Sequence, residues 1–511
     1  MEPAAAAWRE AVAGRLPRAA AVARELAGAG GVLERAWASA LDAVLWTMAA
    51  AHGRPALAGE LTELVGLDPA ACEPVSLAAD QMALDATLRF DARDLHAWAS
   101  VLSCLAGRGG AAVAVRAKSA EAWLAVLEGR HDVVEAIAET MSRDAADLGV
   151  AAVVIDASAQ RALAALGQRR YAEALAHARR ASRMARTEGL LQQEYTANLV
   201  LARVRRHGGR AHLAARILEA LSQVVPAPWR TWIGWELLLA GGGGLAAVVP
   251  AALRAQLGGS RDLADELDLF LAMVDPEAPI PPGAAPWVWG SDHVPPTGIR
   301  DASAEHGAYV VTSPVVRARR VLPAGVSAFD PGGVAVRLDA AGRAGARTQE
   351  AVAVLALAGE NGVGEDALFQ RVYGFAYDRA VHGGVLRGLL HRARGALGDA
   401  AVIDRVGEDH LRLRPAVPIV VADPRCAPSL EEQVLQRLAT SAGRATAREI
   451  ARAMGIPLRT VQQALGNLVD EGACHAEPDG RRVEYVVEDT TFGEPTLPRL
   501  RASVPPASND G

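Results

Sequence analysis

The sequence predicts a mainly α fold, in which a helical-repeat array on the amino-terminal side is followed by two winged helix-turn-helix domains with small β-sheets. Three observations carry this expectation. Apolar residues recur at helical spacing, in a background of Ala, Leu, Arg and Glu, from Trp8 to about Leu271. Seven prolines then crowd between Pro276 and Pro296, removing backbone donors and fixing dihedrals that a regular element needs free. Beyond them, two successive stretches each read as three amphipathic helices followed by a hairpin.

A chain of 511 residues is too long for one ordinary core, so roughly three to five units are expected. Apolar residues make up 51%, enough to fill those cores. Composition divides the chain into a helical domain over 1–274, a Pro-rich linker over 275–307, a first winged-helix domain over 308–420, a second over 428–490, and a tail over 491–511 expected to be disordered. The formal charge of -6, from 53 basic and 59 acidic residues, gives no general attraction for polyanions, so contact with nucleic acid has to be a local face.

In the helical region, Gly129, Gly167 and Gly208 mark breaks about forty residues apart, and each is followed by a new amphipathic segment. A helix pair cannot hide its apolar faces alone, and stacking successive pairs solves this. Leu166-Gly167-Gln168-Arg169-Arg170-Tyr171-Ala172-Glu173-Ala174-Leu175 resembles the turn of a tetratricopeptide repeat, where a small residue closes one helix and a Tyr-Ala-x-Ala-Leu stretch opens the next. The other breaks match that pattern less closely and exceed the usual period of about 34 residues. An irregular all-helical domain is the alternative. Either form makes a platform suited to a protein partner, to a sensed ligand or to homodimer formation.

Leu237 through Leu253 is uncharged, but Gly241 to Gly244 and Pro250 interrupt it, so it reads as a buried helix, a loop and a short helix; a bilayer crossing needs about 20 apolar residues. Trp287 and Trp289 lie inside the proline-rich stretch, which suggests that it is tacked onto a neighbour. After it, Ala308 to Thr312, Val315-Val316 and Gly333 to Leu338 predict a small antiparallel sheet, with Asp330-Pro331-Gly332-Gly333 as a turn.

The first winged-helix stretch opens on a core helix from Thr348 that stops at Gly359. A second helix runs from Glu365 to Gly374, a third from His382 to Leu397, and a two-stranded ribbon from Ile403 to Leu413. Leu368 through Tyr373-Gly374, then Tyr377, then Val385-Leu386-Arg387-Gly388-Leu389-Leu390-His391-Arg392-Ala393-Arg394-Gly395-Ala396-Leu397 resemble the carboxy-terminal DNA-binding domain of OmpR-type response regulators. That resemblance implies a third helix in the major groove, with Arg379, His382, Arg387, His391, Arg392 and Arg394 on or near the DNA side. Two features depart from the family. Its wing carries Gly-x-Gly-Tyr where this chain has Gly407-Glu408-Asp409-His410, and Gly383, Gly384 and Gly388 weaken the inserting helix. A dimerising or purely structural copy is the alternative for this domain.

The second stretch is more sharply punctuated. Ser429 with Glu432, and Thr446 with Glu449, each form an N-cap signature three residues apart. Gly455 closes the helix begun at Thr446, and Ile456-Pro457 leads into Leu458 to Val469. Ile450, Ala451 and Met454 can then meet Val461, Leu465 and Leu468 across a tight corner, which leaves Arg459, Thr460, Gln462, Gln463 and Asn467 as the polar side. Arginine can fork onto guanine, and glutamine or asparagine can pair with adenine. Arg448 and Arg452 lie four apart on one helix face, suited to phosphate, and Arg481 and Arg482 sit at the tip of a hairpin around Pro478-Asp479-Gly480. The Thr-x-x-Glu-Ile-Ala-x-x-x-Gly helix, the helix after it and the wing resemble the winged helices of MarR-like and IclR-like regulators.

Together these resemblances imply a sequence-specific transcription regulator whose partner is double-stranded DNA. Two modules could span adjacent major grooves about 34 to 36 Å apart. The input is expected through the helical region, and a scaffold protein in which repeats and winged helices mediate assembly is the alternative. No cofactor, metal site or catalytic constellation is expected. The twelve histidines include no HExxH motif, no phosphate loop occurs, and Asp423 and Cys426 read as an interdomain loop lacking a basic partner. Cys72, Cys104, Cys426 and Cys474 form no CxxC pair, and Glu2 with no basic region before an apolar run is unlike an export signal, so a cytoplasmic, membrane-free location is expected.

Overall fold

The computed structural model describes residues 2–49, 58–241, 251–338, 345–441, 443–480 and 482–487. It is mainly helical with three small sheets, and it divides into two compact units. The first comprises Met1–Val204 and Glu219–Gly234, and the second Arg205–Leu218 and Trp235–Thr490, taken over their described residues.

The first unit opens with α1 (Glu2–Val12), α2 (Leu16–Ala27), α3 (Val32–Ala49), α4 (Ala58–Leu67), α5 (Cys72–Leu88) and α6 (Ala92–Ala106). A regular series follows: α7 (Ala111–Leu127), α8 (His131–Asp147), α9 (Ala151–Gly167), α10 (Tyr171–Glu188), α11 (Leu191–His207) and α12 (Ala211–Val224), of which the stretch Arg205–Leu218 belongs to the second unit. The helices α7, α9 and α11 begin forty residues apart, as do α8, α10 and α12. Burial keeps the same register. Val134, Ala138, Met141 and Ala145 on α8 are matched by Ala174, Ala178, Ala181 and Ala185 on α10, and all eight are fully buried. On α10 the stripe is all alanine, and such small side chains let a neighbouring helix approach closely. Within the unit α5 packs on α6 and α7, α7 on α8 and α9, and α9 on α10.

The turns also repeat, but of the three glycines that the sequence suggested only Gly129 holds the left-handed position. The left-handed residue lies at Gly129 (φ 68°), Arg169 (φ 61°) and Gly209 (φ 73°), whereas Gly167 is the last residue of α9. Arginine holds a backbone conformation that favours glycine in the middle turn, so glycine spacing alone reads this register two residues early.

In the second unit come α13 (Arg230–Leu239), whose final residues belong here, α14 (Ala251–Leu257), α15 (Arg261–Val274) and a short α16 (Ala285–Trp289). Residues 242–250, including Gly242 to Gly244, lie outside the described residues. Buried Arg206 bonds Glu236 at 2.7 Å and Glu266 at 2.9 Å.

The proline-rich stretch is pinned by two adjacent arginines. Arg320 donates to the carbonyls of Trp287 at 2.8 Å and Gly290 at 2.6 Å, and Arg319 donates to those of Asp275 and Ala278. A proline-rich chain has carbonyls with few backbone donors to meet them, and guanidinium groups supply the missing donors.

Strands β1 (Tyr309–Thr312) and β2 (Arg319–Val321), helix α17 (Pro323–Phe329) and strand β3 (Val336–Leu338) follow. Next come α18 (Ala346–Ala358), β4 (Val363–Gly364), α19 (Glu365–Tyr373), α20 (Arg379–Leu397), β5 (Ala401–Val406), β6 (His410–Pro415) and β7 (Ile419–Ala422). The expected all-antiparallel sheet is corrected. Its order is β2-β1-β7-β3, with β7 antiparallel to β1 but parallel to β3, and Val315 lies outside any strand at 92% exposure. A strand from beyond the wing thus fills the middle of the sheet.

Asp423, just after β7, is also corrected. It is fully buried and held by Arg320 at 3.0 Å and by Arg425 at 2.7 Å through each carboxylate oxygen. Burial works against its charge, but the two guanidinium groups hold its carboxyl below the ordinary range.

Helices α18, α19 and α20 close a core around Leu355, Leu368, Phe369, Leu386 and Leu390, capped by the sheet β4-β6-β5. The chain then forms α21 (Leu430–Thr440), β8 (Arg444–Thr446), α22 (Ala447–Met454), α23 (Leu458–Asp470), β9 (Cys474–Asp479) and β10 (Arg482–Val487), with the sheet β8-β10-β9.

Candidate nucleic-acid interface

The three helices after Pro428 are set by local chemistry. Ser429 Oγ accepts from Glu432 N at 3.2 Å and so caps α21. At α22 the cap is reciprocal. Thr446 Oγ1 accepts from Glu449 N at 3.3 Å, and Glu449 Oε2 accepts from Thr446 N at 2.8 Å. These bonds, led by the one from the Thr446 backbone, hold the Glu449 carboxyl below its ordinary value. Gly455 ends α22 in the left-handed region at φ 66°, and α23 begins at once.

Apolar contacts fix how α23 is presented. Ile450 and Ala451 share a buried cluster with Val461, Leu465 and Leu468, and Met454 packs at its edge. Burying Val461, Ala464, Leu465 and Leu468 turns the remaining positions outward. Arg459, Thr460, Gln462 and Gln463 are exposed on α23, Arg448 and Arg452 on α22, and Arg482 on β10. Arg448, Arg452, Arg459 and Arg482 make no ion pair among the described residues. Arg481 lies outside the described residues.

Asn467 is placed differently from its neighbours. It is half-buried, donates to Glu431 Oε1 at 3.1 Å, and accepts from Gln463 Nε2 at 3.3 Å. Its amide is therefore spent on bracing α23 against α21, which the helical periodicity of α23 alone did not reveal.

Sequence reasoning also missed the residues that anchor this module. Arg210 reaches Glu471 through Nε at 3.0 Å and Nη2 at 2.9 Å, and its Nη1 reaches Ser429 Oγ at 3.3 Å. Leu213 enters the cluster formed by α21, α22 and α23. Glu432 is fully buried and accepts from His212 N at 2.9 Å, and burial pushes its carboxyl up to about 7. The segment 429–487 carries seven arginines and eight acids, so near neutrality hides an asymmetry. Glu432 is buried, Glu471 is paired and Glu449 is engaged in a cap, while four arginines stand open.

In the preceding three-helix unit, α18 to α20, the residues Arg379, Arg387, His391, Arg392 and Arg394 are exposed along α20. Arg394 donates to the carbonyl of Ile403 at 3.2 Å, tying the helix to β5, and Arg379 lies 3.9 Å from Asp409 in the β5–β6 turn. His382 is half-buried and stacked on Phe369 with ring centres 4.9 Å apart, so it belongs to the packing of the helix. Val381 and Val385 are 69% and 45% exposed on the same helix.

Among the described residues no three His, Cys, Asp or Glu side chains converge as a metal ion requires, and no helix is long and apolar enough to cross a membrane. The profile of one family, the sugar-specific transcriptional regulator TrmB, matches residues 429–490. No curated protein and no solved structure matches the chain. A distant likeness to a winged-helix regulator family thus falls on the segment that α21, β8, α22, α23, β9 and β10 build.

Proposed function

We propose that the protein is a sequence-specific transcription regulator that reads double-stranded DNA with α23. The observation that carries this reading is the outward face of Arg459, Thr460, Gln462 and Gln463, braced from behind by α22 in a segment that resembles a regulator family. In this reading Arg459 and Gln463 contact base edges, Thr460 and Gln462 contact bases or phosphates, and Arg448, Arg452, Arg481 and Arg482 hold the backbone on either side. Asn467 acts through Gln463, which it orients. The chain is non-catalytic and works by binding.

The helical array over 1–274, with its forty-residue period, is the tetratricopeptide-like sensing or assembly platform; 275–307 joins it to an OmpR-like domain over 308–420; and 428–490 is the MarR- or IclR-like reader. For the first winged helix a protein contact is the second reading. Exposed Val381 and Val385, with Glu408 and Asp409 at the wing, suit a protein surface better than a phosphate backbone. Arg379, Arg387, His391, Arg392 and Arg394 would then serve as its polar rim.

Selection of duplexes from a random pool by the full-length chain, followed by anisotropy titrations, tests the reading. Arg459→Ala with Gln463→Ala should cost about 2–5 kcal/mol on the selected site and relax preference at particular base pairs. Binding of the selected duplex no tighter than of a shuffled one would overturn it.

A further inference from the structure

The second unit carries a cleft of about 550 Å³, a size within the range of small-molecule sites. Pro286 and the stretch 289–293 line it, together with residues of α18, β4, α19 and β6. The stretch 289–293 is held in place by buried side chains. Arg320 donates to the carbonyl of Gly290 at 2.6 Å and Arg425 to that of Ser291 at 2.7 Å, and both guanidinium groups also grip buried Asp423. A wall fixed in this way keeps its shape without an occupant, which lowers the entropy cost of binding one.

The lining is part apolar and part charged. Trp289, Leu357 and Val363 supply apolar surface, and the guanidinium of Arg317 lies over the Trp289 ring, 4.1 Å from its centre, which steadies it. Among the described residues that line the cleft, Arg371 is the one permanent cation and Asp292 the one carboxylate. The two form an ion pair from Nε to Oδ1, in which Arg371 is 22% exposed and Asp292 57%. A pair so open to water holds weakly, so a second carboxylate can compete with Asp292 for the guanidinium. Asp292 itself demonstrates that a carboxylate reaches Arg371 here.

We infer that this cleft binds a small aromatic monocarboxylic acid, with its ring against Trp289, Leu357 and Val363 and its carboxylate on Arg371. One guanidinium matches one carboxylate in charge and in planar geometry. A phosphate ester or a dicarboxylate brings further negative charge, with no second permanent cation in the lining to meet it and Asp292 to repel it. A ring without the acid leaves Arg371 on Asp292 and gains apolar contact only. The occupant touches the proline-rich stretch and α18, β4 and α19 at once, so its signal enters at that joint. This goes beyond the reading of α23 and is tested without DNA, so its failure leaves that reading untouched.

The experiment is calorimetric titration of the full-length protein with 1-naphthoate and 4-hydroxybenzoate, and beside them with 1-naphthalenemethanol, phthalate and inorganic phosphate. At least one of the two acids should bind saturably at one site per chain, more tightly than any of the three comparison compounds. Arg371→Gln should weaken that binding about tenfold or more. Asp292→Asn removes the internal competitor and should tighten it about two- to fivefold. Damage to the fold does not tighten binding, so the opposite signs separate a binding role from a structural one, and circular dichroism should show the same helix content in both variants. Absence of acid binding by the unaltered protein, equal or tighter binding of naphthalenemethanol, phthalate or phosphate, binding unchanged by Arg371→Gln, or binding weakened by Asp292→Asn would each overturn the inference.

Discussion

Arg210 and Glu471 are 261 residues apart in sequence and meet in a two-pronged ion pair, at 3.0 and 2.9 Å. Arg210 is 13% exposed and Glu471 40%, so the pair is partly shielded from solvent. Its carboxylate lies just past the end of α23, and its guanidinium also reaches the cap residue of α21. Arg210→Ala should therefore loosen the carboxy-terminal module by about 1–2 kcal/mol. Hydrogen exchange should show this as faster exchange in α21 and α23, with the amides of α1 to α3 unchanged. Uniform acceleration throughout the chain would contradict a local anchoring role.

Glu432 makes the stability of the same region depend on pH. Its folded carboxyl titrates at about 7, well above an ordinary glutamate, because burial disfavours its charge more than Arg210, Arg300 and the His212 N–H favour it. The folded state keeps a proton that the unfolded state has already released, so stability falls as pH rises from about 4.5 towards 7 and levels off above. Glu350 (about 7) and Asp80 (about 6) contribute with the same sign. Glu432→Gln should flatten the part of the curve that reports α21, measured by hydrogen exchange at pH 5, 6 and 7.5 after correction for intrinsic rates. Identical slopes in the two proteins would refute the assignment.

Asp423 shows the opposite chemistry. Removing a buried carboxylate that holds two arginines leaves both cations without their counter-charge, so Asp423→Ala should cost about 3–5 kcal/mol. Thermal unfolding followed by tryptophan fluorescence is the readout, because Trp287 is bonded to Arg320 through its carbonyl. An unchanged midpoint would show that the arginines find other partners.

The cap at Thr446 offers a milder perturbation. Thr446→Ala removes an acceptor for Glu449 N and should lower helix stability by about 1 kcal/mol, while Thr446→Ser should retain most of it. If α23 is the reading helix, duplex affinity should fall with Thr446→Ala by no more than the accompanying loss of folded protein, measured in parallel by circular dichroism and anisotropy.

Backbone contacts should behave differently from base contacts. Arg482→Ala should weaken binding to all duplexes alike and reduce the dependence of log K on log salt by about one unit, whereas Gln463→Ala should leave that slope unchanged. A salt slope that is equally insensitive to both substitutions would place the phosphate contact elsewhere.

What the sequence made legible was local. Caps at Ser429 and Thr446, the stop at Gly455 and the apolar stripes of α22 and α23 are decided within a few residues, and the helices begin and end where those signals lie. Pairings across long stretches were not legible. Neither the insertion of β7 between β1 and β3 nor the partnership of Asp423 with Arg320 leaves a periodic trace, since each joins residues about a hundred positions apart. Asn467 had the residue type and spacing of a base reader, but Glu431 on another helix engages it. The repeat period was visible, whereas its register was obscured because Arg169 occupies the turn position that glycine marks elsewhere.

The position of β7 bears on how the protein emerges during synthesis. Strands β1 and β3 leave the ribosome early, yet the strand that lies between them is translated only after α18 to α20 and β4 to β6. For that interval β1 and β3 present unpaired edges, the state in which a nascent chain is most exposed to mispairing. A stop codon anywhere before residue 419 would leave that seam open permanently, so a shortened product should be retained by chaperones or degraded even when its helical array is complete.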